Sequence, residues 1–263
     1  MESVSGSHPP ENSPPAEKES PPDVSPDRDS ARGTRSVSVI VPTYNESGNI
    51  ERVIERCEEA MAGIEYELIV VDDDSPDGTW RVAKQVGADL DRVSVIRRQN
   101  ERGLGTAILR GFGRATKDFY AVLDADLQHP PELIPELLNH ATEYVDIVIG
   151  SRYRKGGYVE NWPLIRHIVS HGAIGLTKLC IEDARGLDDP LSGFFLLRHS
   201  VVDTESLEPR GYKILLEILV KCEYSHVIEV PYEFHERQNG SSKLTIDSCR
   251  QFLAHLATLR SRQ

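Results

Sequence analysis

From Ser36 onward, short apolar runs alternate with segments of helical character. SVSVIV (Ser36 to Val41), ELIVV (Glu67 to Val71), Val93 to Arg97, Phe119 to Leu123 and DIVIG (Asp146 to Gly150) are short and β-favouring, so each is predicted to be a strand, with Glu67 to Val71 and Phe119 to Leu123 buried. Between them, Asn49 to Met61 places Ile50, Val53, Ile54 and Cys57 on one helical face. Thr79 to Val86, Gly105 to Ala115 and Pro131 to Ala141 are the other helices expected in this region. Strands and helices in alternation imply right-handed βαβ units: an α/β, Rossmann-like fold with a mostly parallel central sheet flanked by helices.

After Gly150 the pattern changes. Tyr153 to Asn161 reads as a Gly-rich loop, and Trp162 to Cys180 as an amphipathic helix. Asp188 to Arg198 reads as loop then strand, Tyr212 to Lys221 as a helix, and His226 to Val230 as a strand. HERQNGSSK is a flexible loop, and Leu244 to Leu259 a terminal helix. There is no internal repeat. In parallel α/β sheets ligands bind beyond the carboxyl ends of the strands. Polar clusters stand at four such ends: PTYNE, DDDS, DADLQ and GSRY.

Composition narrows the picture. Residues 1–34 are rich in Pro, Ser and charge and nearly free of large apolar side chains, so they are expected to be a disordered tail, with the folded part beginning near Arg35. They hold no apolar core that would make a signal peptide or anchor. No run approaches the ~18 to 20 apolar residues that span a bilayer, so membrane contact is expected to be peripheral or through a partner. A net charge of -12 argues against nucleic acid as the main partner. Arginine outnumbers lysine, which together with the acidic balance hints at a high-salt cytoplasm. Cys57, Cys180, Cys222 and Cys249 are widely spaced without a CxxC, as inert thiols would be.

The candidate chemistry lies at the strand ends. Asp124 and Asp126, separated by the small Ala125, follow a buried strand and are too costly to bury without partners. They point to a cation, a satisfied hydrogen-bond network, or simple exposure. With the amide oxygen of Gln128 they make a hard-oxygen set suited to Mg²⁺ or Mn²⁺, the rest of the coordination coming from substrate phosphates. In VDDDSPDGT, Asp73 is placed to contact a nucleotide, whereas Asp74 and Asp77 read as turn and helix-cap residues. NERGLG lacks the spacing of GxGxxG and of a P-loop and reads as a tight turn before a helix. Arg152, Arg154 and Lys155 follow the fifth strand, Arg166 and Ser170 lie four apart on one helical face, and Arg237 and Lys243 flank a Gly/Ser loop. Such cations suit phosphate if they converge, which spacing cannot show. Ser192 lacks the GxSxG elbow, and His129, His167 and His171 make no zinc spacing with the cysteines and read as surface or supporting residues.

Taken together, VIVPTYNE, VVDDDSPDGT, RGLGTA, DADLQHPPE, GSRY, NWPLIRHIVSHGA, DPLSGFF, GYKILLEIL and GSSKL closely resemble the dolichol-phosphate mannose synthases of the family-2 glycosyltransferases, over Ser36 to Leu259. The resemblance implies a GT-A fold over 35–263, with a nucleotide-binding half (35–150) and an acceptor-binding half (151–263). It implies GDP-mannose as donor, Mg²⁺ or Mn²⁺ as cofactor, and dolichyl or another polyprenyl phosphate as acceptor, with inversion at the sugar. Pro42, Tyr44, Glu46, Val71 and Asp73 would hold the guanosine. Asp124, Ala125, Asp126 and Gln128 would bind the donor, with Asp124, Asp126 and Gln128 on the metal. Arg152, Arg166 and Ser170 would receive the lipid phosphate, and Lys213, Arg237 and Lys243 would reach the donor. Several members of that family carry transmembrane helices after the catalytic domain, whereas this sequence stops at Gln263. Either the protein meets the membrane at the cytoplasmic face through surface elements or a small membrane subunit, which is the expectation, or the sequence is a piece of a longer chain. Trp162 to Cys180 and Leu244 to Leu259 are the candidate surfaces. The rivals are a UDP-glucose-dependent enzyme on the same acceptor and a non-catalytic nucleotide-sugar module.

Overall fold

Every residue of the first strand, β1 (Ser36–Thr43), is buried, and its side chains alternate between two cores. Val37, Val39 and Val41 pack against α1 (Ile50–Ala60), whereas Ile40 packs under α3 (Leu104–Phe112). The approach of α3 is close: a Cβ on Gly111 would lie 2.5 Å from Cγ2 of Ile40. The computed structural model describes residues 35–209, 213–235 and 246–262. The segment expected to be a disordered tail, the HERQNGSSK loop beyond His235, and Arg237 and Lys243 with it, lie outside the described residues.

The remaining elements are β2 (Glu65–Asp72), α2 (Thr79–Val86), β3 (Val93–Arg97), β4 (Phe119–Val122), α4 (Ile134–His140), β5 (Ile147–Ser151), β6 (Tyr158–Val159), α5 (Leu164–Cys180), β7 (Phe195–Arg198), α6 (Ile214–Lys221), β8 (Val227–Pro231), β9 (Glu233–Phe234) and α7 (Ile246–Arg260). Seven strands form one sheet in the order β3-β2-β1-β4-β7-β5-β8. All pairings are parallel except the two made by β7. The predicted mostly parallel sheet is therefore present, with one antiparallel strand inserted between β4 and β5.

That insertion places the site. Phe195, the first residue of β7, pairs with both Val122 of β4 and Ile149 of β5. Because β7 runs the other way, the residues leading into it reach the sheet at the edge where β4 and β5 leave it. Asp189 to Phe194 thus meets the DADLQ turn and the GSRY turn. A second, two-stranded sheet of β6 and β9 stands where the sequence predicts only a Gly-rich loop.

Element ends shift for local reasons. Pro131 to Ala141 divides into a 3₁₀ turn (Pro131–Leu133) and α4, whose Pro135 sits in the first turn, where a missing N–H costs nothing. The terminal helix packs Phe252, Leu256 and Leu259 into a cluster with Ile174 of α5 and Leu216 of α6, while Leu253 stays exposed. Among the described residues, no helix is long and apolar enough to cross a membrane. All four cysteines are free, and burial pushes the Cys57 thiol up to about 12.

Candidate active site

The chain leaves β4 through Leu123, whose N–H bonds Ile40 O, and turns sharply at Asp124. The Asp124 side chain is 37% exposed. Asp126 and Gln128 are buried. Gln128 N–H donates to Oδ1 of Asp126 at 3.1 Å. The amide nitrogen of Gln128 donates to His235 O at 2.9 Å, which leaves its amide oxygen as the atom a cation would take. Leu127 holds φ at +62°, a left-handed conformation that costs an L-residue roughly 1 kcal/mol or more. Its buried side chain anchors the turn in the core. The His129 imidazole is buried, and desolvation pulls it below its ordinary value against the opposing pull of Asp124 and Asp126.

Two cations reach this turn from distant segments. Arg152, just past β5, clasps the fully buried Asp189 through Nε (2.7 Å) and Nη2 (2.8 Å), and its backbone N–H reaches the same carboxylate at 3.1 Å. Asp189 is held in turn by β8, because Glu229 accepts the N–H of Asp188 (2.6 Å) and of Asp189 (2.7 Å). The guanidinium lies over Tyr153, Phe234 and Trp162 at 5.3, 5.5 and 5.8 Å from the ring centroids. Burial, the largest influence, would lower its proton affinity; the Asp189 charge and hydrogen bonds, with Tyr232 and Tyr153, together raise it above its ordinary value. Lys213, immediately before α6, donates to Leu191 O at 2.6 Å. Desolvation first, then the Arg152 charge, bring it from 10.5 down to about 8. Asp124 acts on both His129 and Lys213, and Arg152 on both as well, so the acidic turn and the two cations share one electrostatic neighbourhood.

Beside Arg152 opens a cavity of about 460 Å³ lined by Tyr153, Tyr158, Trp162, His167 and His171. The Arg166 guanidinium sits over the Trp162 ring at 3.9 Å from its centroid. Tyr153 OH donates to Ser170 Oγ at 2.8 Å, and its ring meets that of His171 at 4.6 Å. Trp162 Nε1 and the Tyr232 hydroxyl are buried with no hydrogen-bond partner among the described residues. Outward from this wall, α5 exposes Leu164, Ile165, Ile168, Val169 and Leu179.

On the other flank stand the residues read as a guanosine site. Pro42 and Val71 are buried in β1 and β2, and Tyr44 lies under Arg102 at 5.1 Å. Glu46 is tied to Asn49 and, through its N–H, to Thr79. Asp73 takes Arg98 Nε at 2.7 Å and Gly103 N–H at 2.8 Å, so it pins the RGLG turn to the end of β2. Asp74 at φ +54° pairs with Arg97, and Asp77 accepts from Thr79 N–H and Ser47 N–H; both serve turns.

A family model described as "Glycosyl transferase family 2" matches residues 38–204. A dolichol-phosphate mannosyltransferase of Pyrococcus furiosus is 49% identical over 223 residues, 85% of this chain. One of Mycosarcoma maydis is 36% identical, covering 88% of this chain and 81% of that protein. A polyprenol monophosphomannose synthase of Mycolicibacterium smegmatis is 35% identical, covering 86% and 87%. The chain belongs to glycosyl transferase family 2. It spans 63% of the length of the Pyrococcus relative. Its fold is GT-A: glucosyl-3-phosphoglycerate synthase of Mycobacterium tuberculosis, solved with Mn²⁺, UDP and glucosyl-3-phosphoglycerate, superposes at a TM-score of 0.67 and 22% identity, covering 87% of this chain and 80% of that one.

In this family-2 chain the structure brings Asp124, Asp126, Gln128, Arg152 and Lys213 together, with Arg166 and Ser170 on the adjoining wall. Sequence reading missed Asp189, Tyr153, Trp162, Tyr232 and Phe234. Asp189 had a signal: an acidic pair before Pro190 in an otherwise apolar stretch. Phe234 had none, lying in a two-residue strand.

Proposed function

We propose that this chain transfers mannose from GDP-mannose to the phosphate of a dolichyl or other polyprenyl lipid, with inversion, giving dolichyl-phosphate β-mannose. The observation that carries the reading is the meeting of the acidic turn with Arg152 and Lys213 at the carboxyl edge of a GT-A sheet. The names of the family-2 relatives support the mannosyl group and the lipid phosphate, and GDP as the donor nucleotide rests on the sequence resemblance. Among the described residues no three His, Cys, Asp or Glu side chains form a self-sufficient metal cage. Two carboxylates and an amide oxygen fit Mg²⁺ or Mn²⁺ that shares its ligands with a diphosphate. Asp124, Asp126 and Gln128 would hold it, and when bound it would offset the negative charge growing on the departing GDP.

This chain's own residues do the remainder. A lipid phosphate is already anionic at neutral pH, so attack on the sugar carbon needs orientation more than a general base. Asp189 occupies Nε and Nη2 of Arg152 and so fixes its free edge toward the acceptor. Arg166 is held over the Trp162 ring. The Tyr153–Ser170 hydrogen bond fixes the Ser170 hydroxyl beside Arg166, where it could serve a phosphate oxygen. The orphan donors of Trp162 and Tyr232 are what a bound anion would satisfy. Pro42, Tyr44, Glu46 and Val71 would hold guanosine, with Asp73 taking a ribose hydroxyl on a remaining lone pair. Arg237 and Lys243, assigned to the donor by resemblance, lie outside the described residues.

The exposed face of α5 carries the membrane part of the proposal, a peripheral contact at the cytoplasmic face. Its apolar residues share a helix with Arg166 and Ser170, so burying them in a lipid surface would bring the acceptor headgroup to the site. Ile165→Glu with Ile168→Glu is expected to reduce turnover at least ~10-fold with long-chain acceptor in vesicles, since each buried side chain is worth about 1.5 to 3 kcal/mol. Turnover with a short soluble polyprenyl phosphate should be unchanged; an equal loss on both acceptors would remove the membrane role.

Lys213 gives a pH dependence. Between about 8 and 10.5 the folded chain binds fewer protons than the unfolded one, so this group's contribution to stability rises with pH across that window. Below pH 8 the ammonium is carried at its full penalty, which an adjoining diphosphate relieves. Donor affinity is therefore expected to fall as pH rises through 8. Calorimetry at pH 8.5 in two buffers of different ionisation enthalpy should show proton uptake, absent in Lys213→Met.

The deciding experiment is one assay with purified protein, labelled GDP-mannose and a short polyprenyl phosphate, with and without EDTA, and UDP-glucose as the competing donor. Lack of turnover with GDP-mannose would overturn the mannosyl reading.

A further inference from the structure

His129 ends the DADLQH turn and has no task in the mechanism above. Its ring stacks on Phe194 (centroids 5.3 Å apart, 17° between planes) and meets the edges of Tyr232 at 6.0 Å and Phe234 at 5.5 Å. Inside this aromatic box, Nδ1 receives the backbone N–H of Asp124 at 3.1 Å. A backbone N–H can only donate, so Nδ1 must carry a lone pair, and the ring stands as the acceptor that closes the turn from its last residue to its first. The Gln128 N–H to Asp126 bond closes the inner half. Gly193 presses on the same point: a Cβ there would lie 3.2 Å from His129 Cε1 and 3.3 Å from Asp124 Oδ2. A Cβ there would require the ring or the carboxylate to give by a few tenths of an ångström.

We propose that His129 is a positioning residue: as a buried hydrogen-bond acceptor wedged between aromatic rings, it sets the place of Asp124 relative to Asp126 before a divalent cation arrives. The inference rests on the metal reading of the turn. It explains why a polar ring occupies an otherwise apolar box. An apolar ring of the same size would fill the space but remove the acceptor that the Asp124 N–H uses.

His129→Phe keeps the ring and removes the acceptor; His129→Asn returns an acceptor close to the position of Nδ1; His129→Gln places one near Nε2 instead. Mn²⁺ binding to the full chain with GDP present, followed by electron paramagnetic resonance, should weaken about 10- to 100-fold in the Phe variant. KM for GDP-mannose should rise with it, KM for a short polyprenyl phosphate should not, and Asn should recover most of the loss. A folded Phe variant with wild-type Mn²⁺ affinity and donor KM would overturn the inference. Should the Phe variant fail to fold, Asn against Gln decides: Asn near wild type and Gln impaired supports it, and equal affinities overturn it. Wild-type chain that binds Mn²⁺ no better than Asp126→Asn would sink the metal reading itself, and the inference with it. Tight wild-type binding with an unaffected Phe variant would sink the inference alone.

Discussion

Asp126→Ala is expected to lower sugar transfer by about a thousandfold or more while leaving the fold intact, since a catalytic cation is worth several kcal/mol of charge stabilisation. The Asp126 side chain is buried, and its Oδ1 is the acceptor for Gln128 N–H, so removing it takes away the proposed metal ligand and the brace of the turn at once. The turn stays attached through Leu123, Leu127 and His129, all buried in the core, so the melting temperature should fall by only a few degrees. Asp126→Asn separates the two effects. It keeps an acceptor for Gln128 N–H but lacks the charge, so it should melt like wild type and still transfer poorly, with added Mn²⁺ recovering part of the rate. If either variant keeps wild-type turnover, the acidic turn does not hold the cation. A non-catalytic nucleotide-sugar module would instead bind donor with no turnover in the wild type, and the same assay detects that.

The strand–helix alternation from Ser36 to Gly150 was legible because each element is local: β-branched runs are buried between amphipathic helices, and the periodicity needs no knowledge of partners. The acidic turn was legible for the same reason, as a polar break after an apolar run. What could not be read was set by non-local pairing. β7 is inserted between β4 and β5, and nothing in FFLLR specifies those neighbours. The partner of Arg152 lies 37 residues away, at Asp189. His129 could be judged a surface residue from its polar neighbours, yet it is buried by Phe194, Tyr232 and Phe234, which arrive from two later segments. The apolar stripes of α5 and α7 look alike in sequence, and tertiary packing separates them: α7 is covered by α5 and α6, whereas the outer face of α5 is covered by nothing described.

Asp189→Ala is expected to cost more stability than any other single change at this site. The carboxylate is fully buried and takes three hydrogen bonds from Arg152, and its loss leaves a guanidinium that is only 11% exposed without its counter-charge. Breaking such a pair from one side costs about 3 to 5 kcal/mol. For a chain of this size that is a drop in melting temperature of roughly 6 to 20 °C. Activity should fall further than stability requires, because Arg152 loses the fork that orients it in the proposed acceptor site, so KM for the polyprenyl phosphate should rise while KM for GDP-mannose changes little. The double variant Arg152→Met with Asp189→Leu distinguishes the two contributions. It removes both charges and fills the space with apolar atoms, and such replacements are often neutral or stabilising. It should recover much of the melting temperature and none of the transfer, as expected of a pair kept for its hold on an anion rather than for its stability. A single Asp189→Ala that melts within a degree of wild type would show that Arg152 finds another partner, and the orientation assigned to its guanidinium would then be wrong.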